Sequence, residues 1–226
     1  MRVKNAVLPG DVKVRRLPRG LPRGLRMEID FSRHTQLYLG LYEYELHRSL
    51  RALARPGVAA FDIGGSSGYD ALLLAKLTGA PVLTVEANPG VLGTLRRNVA
   101  ANPSLDVRVV HATIGATDDD TTRTIDALAH DDSCGGFVPG LVKIDIEGGE
   151  ATALRGATRL LSERGPALVV EVHSVALEDE TRAVVAAAGY PEPTVVTQRH
   201  VFKEYRPLAH NRWLVWSPPA HGSTTG

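Results

Sequence analysis

The chain has 226 residues, 43% hydrophobic and 23% charged, a balance that suits one globular domain with a full core. Its formal net charge of +1 creates no whole-molecule field that would select nucleic acid or an anionic surface. The single cysteine, Cys134, can neither staple its own chain nor supply a zinc spacing; with no apolar run of about 18 residues and no signal core behind the basic N-terminus, the expectation is a cytoplasmic protein with no membrane span.

Residues 1–36 are basic and punctuated by Pro and Gly. They hold a tandem Leu17-Pro18-Arg19-Gly20, Leu21-Pro22-Arg23-Gly24, too short for a repeat architecture. Arg15, Arg16, Arg19, Arg23 and Arg26 mark this stretch as an N-terminal extension or lid. Residues 27–31 alternate as a short strand. Residues 37–53 read as one helix, with Leu39, Tyr42, Leu46, Leu50 and Leu53 on one face, stopped by Arg55-Pro56-Gly57.

A strand–helix alternation follows. Strands are expected at 58–63, 82–85, 107–110, 141–146 and 167–172. Helices are expected at 69–77, 91–101, 150–161 and 178–188, with a short helical piece at 124–129 inside a polar, turn-rich stretch. Two late strands, 194–197 and 213–216, fit a terminal antiparallel hairpin. The main domain is therefore 37–217, and 218–226 reads as a disordered tail. Short apolar strands alternating with helices imply a parallel sheet covered on both faces. In such sheets a ligand sits beyond the carboxyl ends of the strands.

At the first of those ends stands Phe61-Asp62-Ile63-Gly64-Gly65-Ser66-Ser67-Gly68. Glycines there let backbone approach a ligand, and the helix start behind them favours an anionic group. Glu86, 22 residues after Gly64, closes the second strand, where an acid can accept both ribose hydroxyls. A dinucleotide fingerprint needs glycine at the first, third and sixth positions; counted from Gly64 those hold Gly64, Ser66 and Tyr69, so it fails. A ligand-free structural turn and an S-adenosylmethionine (SAM) loop remain, and the acid at 86 favours SAM. The candidate cofactor contacts are Asp62, Gly64, Gly65, Ser66, Gly68, Glu86, Ala87 and Asn88, with Thr113 and Ile114 after the third strand as the adenine wall.

The fourth strand ends in Lys143-Ile144-Asp145-Ile146-Glu147-Gly148-Gly149-Glu150. Lys143, Asp145 and Glu147 share one face if the strand runs that far. Charges at the end of a central strand are costly unless paired, solvated or functional. Here the chain resembles the FkbM-type methyltransferases. The likeness runs through Asp62-Ile63-Gly64 to Gly68, where that family usually reads Asp-x-Gly-Ala-Asn-x-Gly. It continues at Val85-Glu86-Ala87-Asn88-Pro89, Thr124-Ile125-Asp126-Ala127-Leu128, Leu141 to Gly148, and Val170-Glu171-Val172-His173. Gly40-Leu41-Tyr42-Glu43 resembles the family's lead-in. Gly65-Ser66-Ser67 departs from the usual Ala-Asn pair, and Ala87 stands where proline is common.

The resemblance implies an α/β Rossmann-like class I methyltransferase. Its sheet would be mostly parallel and seven-stranded, with a terminal antiparallel hairpin and helices on both faces. It implies SAM as cofactor and a hydroxyl oxygen on a small molecule, sugar or natural product as acceptor, transferred by in-line displacement. Candidate bases are Asp145, Glu147 and His173, of which His173 has the most suitable ordinary pKa; Asp145 could instead hold the SAM amino group. Tyr42 and Glu43 are the candidate acceptor contacts. Asp118, Asp119, Asp120, Asp131 and Asp132 crowd one loop, but their spacing is not that of a calcium loop, and no metal is expected. The arginines of the N-terminal stretch raise nucleic acid as an alternative acceptor, disfavoured by the absence of interleaved aromatics. A SAM-fold binding protein without turnover is the other alternative.

Overall fold

The computed structural model describes residues 11–132, 136–198 and 210–219; Cys134 and the tail from 220 onward lie outside them. The elements in chain order are β1 (Lys13–Arg16), β2 (Arg26–Ile29), α1 (Thr35–Tyr38), a 3-10 turn (Tyr44–Leu46), α2 (His47–Leu53), β3 (Ala60–Ile63), α3 (Tyr69–Thr78), β4 (Val82–Glu86), α4 (Pro89–Ala100) and β5 (Val107–His111). There follow β6 (Thr113–Ile114), β7 (Thr122–Arg123), α5 (Ile125–Ala129), β8 (Leu141–Ile144), α6 (Glu150–Arg155), α7 (Thr158–Arg164), β9 (Ala167–Val172), α8 (Val175–Ala187), β10 (Thr194–Thr197) and β11 (Arg212–Trp216).

Seven strands form one sheet in the order β10-β11-β9-β8-β3-β4-β5. β9, β8, β3, β4 and β5 run parallel; β11 runs antiparallel to both β9 and β10. This is the expected α/β architecture with its terminal hairpin. Chain order reverses between β3 and β8, so their carboxyl ends open the crevice that such sheets use for ligands.

The two faces of the sheet have different covers. Phe61, Leu83, Val142 and Val170 point to the face packed by α5, α6, α7 and α8. Ala60, Val82, Leu141, Val169 and Trp213 point to the other, packed by α3 and by the N-terminal segment. Strands buried on both faces read as continuous apolar runs, which explains why their positions are visible in the sequence.

The N-terminal segment differs most from expectation. Residues 13–29 are no free extension: β1 and β2 form an antiparallel ladder, and Leu17, Leu21, Leu25, Met27 and Ile29 are buried in the core. The tandem repeat supplies Leu17 and Leu21 and the turn between the strands, with Leu17 N–H donating to Leu25 O at 2.8 Å. Two asparagines of α4 hold β2. Asn98 Oδ1 accepts the Glu28 amide at 2.7 Å while its Nδ2 donates to Ser67 O at 2.8 Å; Asn102 pairs with both backbone groups of Arg26. Asn98 thereby ties the hairpin to the glycine loop. Arg97 adds a two-pronged pair with Glu28. The arginines are also partly engaged, with Arg15 lying 4.9 Å over the Phe31 ring.

Two expected helices are each split. The 37–53 stretch breaks because Gly40 takes φ 71° and Glu43 φ 47°. Gly40 also packs so tightly on the repeat turn that a Cβ would lie 2.5 Å from Arg19 O. The 150–161 stretch breaks at Gly156, where a Cβ would lie 2.1 Å from Gly115 O. Asp126 caps the second half by accepting the amides of Arg159 and Leu160 at 2.9 and 2.8 Å, a role that helix starts demand because their first amides have no partner within the helix.

Candidate active site

The glycine loop between β3 and α3 is built by close backbone packing. Gly64 has φ 98°, and a Cβ there would lie 1.8 Å from Asp145 O, so only glycine lets the β3 end meet the β8 end. Gly65 replaces the alanine common in the similar family for a local reason: its Cβ would lie 2.2 Å from Thr84 Oγ1. Ser66 takes φ 44°, a left-handed conformation that asparagine tolerates better than serine. Its amide donates to Glu86 Oε2 at 2.7 Å, and the Asn88 amide donates to Glu86 Oε1 at 2.6 Å. Glu86 is thus fixed at the carboxyl end of β4 by both flanking loops. Asn88 also caps α4, accepting from Gly90 N–H.

Beneath this loop one face of the sheet carries a buried polar ladder. Thr84, Asp62 and Lys143 stand opposite one another on β4, β3 and β8, and Glu171 stands opposite Trp213 on the far side. Thr84 Oγ1 donates to Asp62 Oδ2 at 2.9 Å. Lys143 Nζ lies 2.9 Å from Asp70 Oδ2, and 3.8 Å from both Glu43 Oε2 and Asp145 Oδ2. The Trp213 indole donates to Glu171 Oε2 at 3.0 Å. His173 Nε2 faces Asp145 Oδ1 at 3.6 Å. Glu43, Asp62, Asp70, Asp145 and Glu171 therefore surround one lysine and one histidine.

These surroundings move the pKa values in opposite directions. Burial pushes the Asp62 carboxyl up to about 7, with the Asp70 charge adding to it. Burial also lifts Glu171 to about 7, helped by Asp145, and holds Glu43 well above the usual carboxylate range. Burial pushes Asp145 up as well, but the facing His173 and the Lys143 charge outweigh it and hold Asp145 well below that range. Its partner His173 is correspondingly raised by Asp145. For Lys143 burial favours the neutral form, and the Asp70, Glu43 and Asp145 charges overcome it.

The expected site residues fall into two groups. Asp62, Gly64, Gly65, Ser66, Gly68, Glu86, Ala87 and Asn88 come together at the ends of β3 and β4. Glu43, Asp145 and His173 meet around Lys143, and the Tyr42 ring packs edge-on against Tyr69 with centroids 5.1 Å apart. Glu147 does not join them. β8 ends at Ile144, Glu147 turns to φ 55°, and its side chain is exposed; buried Glu150 accepts the Ile146 and Gly148 amides and stabilises that turn. Of the expected adenine wall, Ile114 belongs to the core on the α5–α8 face, and Thr113 is exposed. Asp118 and Asp119 of the acidic loop cap local amides of Thr121, Thr122 and Thr124. Three further residues join the site. Asp70 was legible as an acid in the first turn behind the glycine loop, and Glu171 as the i−2 partner of His173 on one strand face. His111, opposite Glu86 in the ladder with its ring 3.2 Å from Ala87 O, carried no such signal.

Residues 106–192 match the methyltransferase FkbM domain. No curated protein matches the sequence. Among solved structures the chain is similar to precorrin-6y C5,15-methyltransferase from Geobacter metallireducens GS-15, at 17% identity and TM-score 0.57, over 79% of this chain and 88% of that one. It is similar to methyltransferase FkbM from Methylobacillus flagellatus KT, at 21% identity and TM-score 0.51, over 80% of this chain and 54% of that one; the chain thus spans about half of that protein's length. A SAM-dependent O-methyltransferase from Thermotoga maritima aligns at 14% identity and TM-score 0.54, over 78% of this chain and 65% of that one. At these identities the likeness shows the fold, that of Rossmann-like class I methyltransferases.

The raised pKa of Asp62 makes stability depend on pH. A carboxyl whose folded pKa lies above its unfolded value stabilises most when protonated in the folded state, so its contribution is complete below about pH 4 and lost as pH climbs to about 7. Thermal unfolding across that window is expected to show Asp62→Asn flattening the decline, because asparagine can still accept the Thr84 hydroxyl. An identical slope in the variant would contradict the assignment.

Proposed function

We propose that this chain, whose residues 106–192 match the methyltransferase FkbM domain, transfers the methyl group of SAM to a hydroxyl oxygen of a small molecule, sugar or natural product. The observation that carries the cofactor half is Glu86, held by the Ser66 and Asn88 amides at the carboxyl end of β4. Each of its oxygens retains acceptor capacity for a ribose hydroxyl. The buried carboxyls beside the loop add acceptors for a cationic ligand: Glu43 Oε2 and Asp70 Oδ1 have no hydrogen-bond partner among the described residues. Bound there, SAM supplies a methyl on a positive sulfonium, an electrophile that needs no further activation.

The chain's own residues would then do three things. The Gly64–Gly68 turn sets the amino end of α3 beside the crevice, where first-turn amides without a partner in the helix would meet the anionic end of the cofactor. Glu86 orients its ribose. Asp145 and His173, at the ends of adjacent strands β8 and β9, stand where an acceptor would meet the cofactor and ease loss of the hydroxyl proton. Holding acceptor and methyl in line can by itself supply several kcal/mol, up to about 7–11 in favourable systems.

Calorimetry with S-adenosylhomocysteine tests the cofactor assignment. Measurable binding is expected, weakened at least about tenfold in Glu86→Ala, which is a change of roughly 1.4 kcal/mol; unchanged affinity would remove Glu86 from the ribose. Radiolabelled methyl transfer into cell-extract fractions tests the chemistry. Asp145→Asn is expected to keep its fold and its S-adenosylhomocysteine binding while losing turnover by about 100-fold, the range of a positioned polar group; full activity would exclude it from the site.

A further inference from the structure

Three side chains at the ends of β8 and β9 converge. Asp145, Glu171 and His173 each present one ligand atom, and these atoms all lie within 4.8 Å of one another. A single ion bound to carboxylate oxygen and imidazole nitrogen at about 2.0–2.2 Å needs ligand atoms no more than about 4.4 Å apart, so modest side-chain movement closes the set. The supporting elements are rigid. Asp145 follows β8 directly, Glu171 lies in β9 and His173 follows it, with Glu171 and His173 two residues apart and so on one face.

A second observation is independent of that convergence. Both ring nitrogens of His173 are shielded from solvent and have no hydrogen-bond partner among the described residues; the nearest candidate, Asp145 Oδ1, is 3.6 Å away. Buried imidazoles are normally satisfied, and a neutral imidazole nitrogen is a preferred donor to divalent metals. The outer contacts also suit a metal ligand, because the Trp213 indole donates to Glu171 Oε2 and holds that carboxylate in place, the kind of support that orients ligating carboxylates.

We propose that Asp145, Glu171 and His173 bind one divalent cation, of the magnesium, manganese or zinc type. This deepens the functional reading above and rests on it for its purpose: the cation would meet the acceptor hydroxyl. The acceptor O–H bond then breaks with its proton passing to water, the O–CH3 bond forms, the CH3–S bond breaks with its electron pair returning to sulfur, and neutral S-adenosylhomocysteine is left. The expectation of no metal rested on the acidic loop at 118–132, whose spacing is not that of a calcium loop; these three residues lie outside it, at the ends of two strands.

The test titrates the metal-free full chain with Mn2+, followed by electron paramagnetic resonance of the free ion, with S-adenosylhomocysteine calorimetry in parallel. One saturable Mn2+ site per chain, displaced by Mg2+ or Zn2+, is expected. Its affinity should fall at least tenfold in Glu171→Gln and in His173→Gln, with S-adenosylhomocysteine binding in both within about twofold of the unsubstituted chain, which also establishes that they fold. No saturable Mn2+ binding, or binding untouched by either substitution, overturns the proposal. S-adenosylhomocysteine bound without Mn2+ defeats the cation site alone; Mn2+ bound without S-adenosylhomocysteine supports the cation site and defeats the cofactor reading.

Discussion

A single ammonium group organises the interior of this protein. Lys143 sits on a central parallel strand, where an apolar side chain is the ordinary choice, and it is fully buried. It persists there because Asp70 meets it at 2.9 Å while Glu43 and Asp145 flank it. Each partner comes from a different part of the chain: the lead-in segment, the first turn of α3 and the end of β8. A buried charge left without partners is strongly destabilising, so the requirement to pair Lys143 draws these three segments together beside the strand ends. The acids it gathers stand beside the glycine loop with two oxygens, Glu43 Oε2 and Asp70 Oδ1, that no described residue hydrogen-bonds.

The glycine loop depends on the same packing by another route. Gly64 lets the backbone of the loop touch the backbone of Asp145, so the loop and the Lys143 cluster cannot move independently. Glu86 then fastens the loop to the end of β4, and Asn98 fastens it to the N-terminal hairpin. Three residues without a glycine's freedom, Glu43, Ser66 and Glu147, take left-handed conformations, and each borders the crevice. Backbone strain of this kind is tolerated where surrounding contacts over-determine it and tends to gather at functional sites.

How much of this the sequence disclosed follows from the range of each interaction. The strands of the parallel sheet were legible because burial on two faces writes itself as short apolar runs, and the glycine loop because its spacing is local. Glu86 and Asp145 were legible because each closes a strand. The breaks at Gly40 and Gly156 were not, because the cause of each lies elsewhere in the chain, at Arg19 and Gly115. The hairpin of residues 13–29 was hidden because its leucines occur in a Pro- and Gly-rich stretch, and its edge is satisfied by Asn98 and Asn102 some 70 residues away. Glu147 was misplaced because alternation was carried past the end of β8, where Glu150 turns the chain. The pairing of Asp145 with Glu171 and His173 joins two strands, a relation that no spacing within one segment records.

The account stands most directly on the coupling between Lys143 and Asp70, which a double-mutant cycle on chemical denaturation measures. Lys143→Met alone, which leaves the buried acids unpaired, is expected to cost about 3–5 kcal/mol. Lys143→Met combined with Asp70→Asn should recover part of that loss, giving a coupling energy of at least about 1 kcal/mol. Strictly additive losses, or a Lys143→Met chain as stable as the original, would show that the lysine does not organise the site.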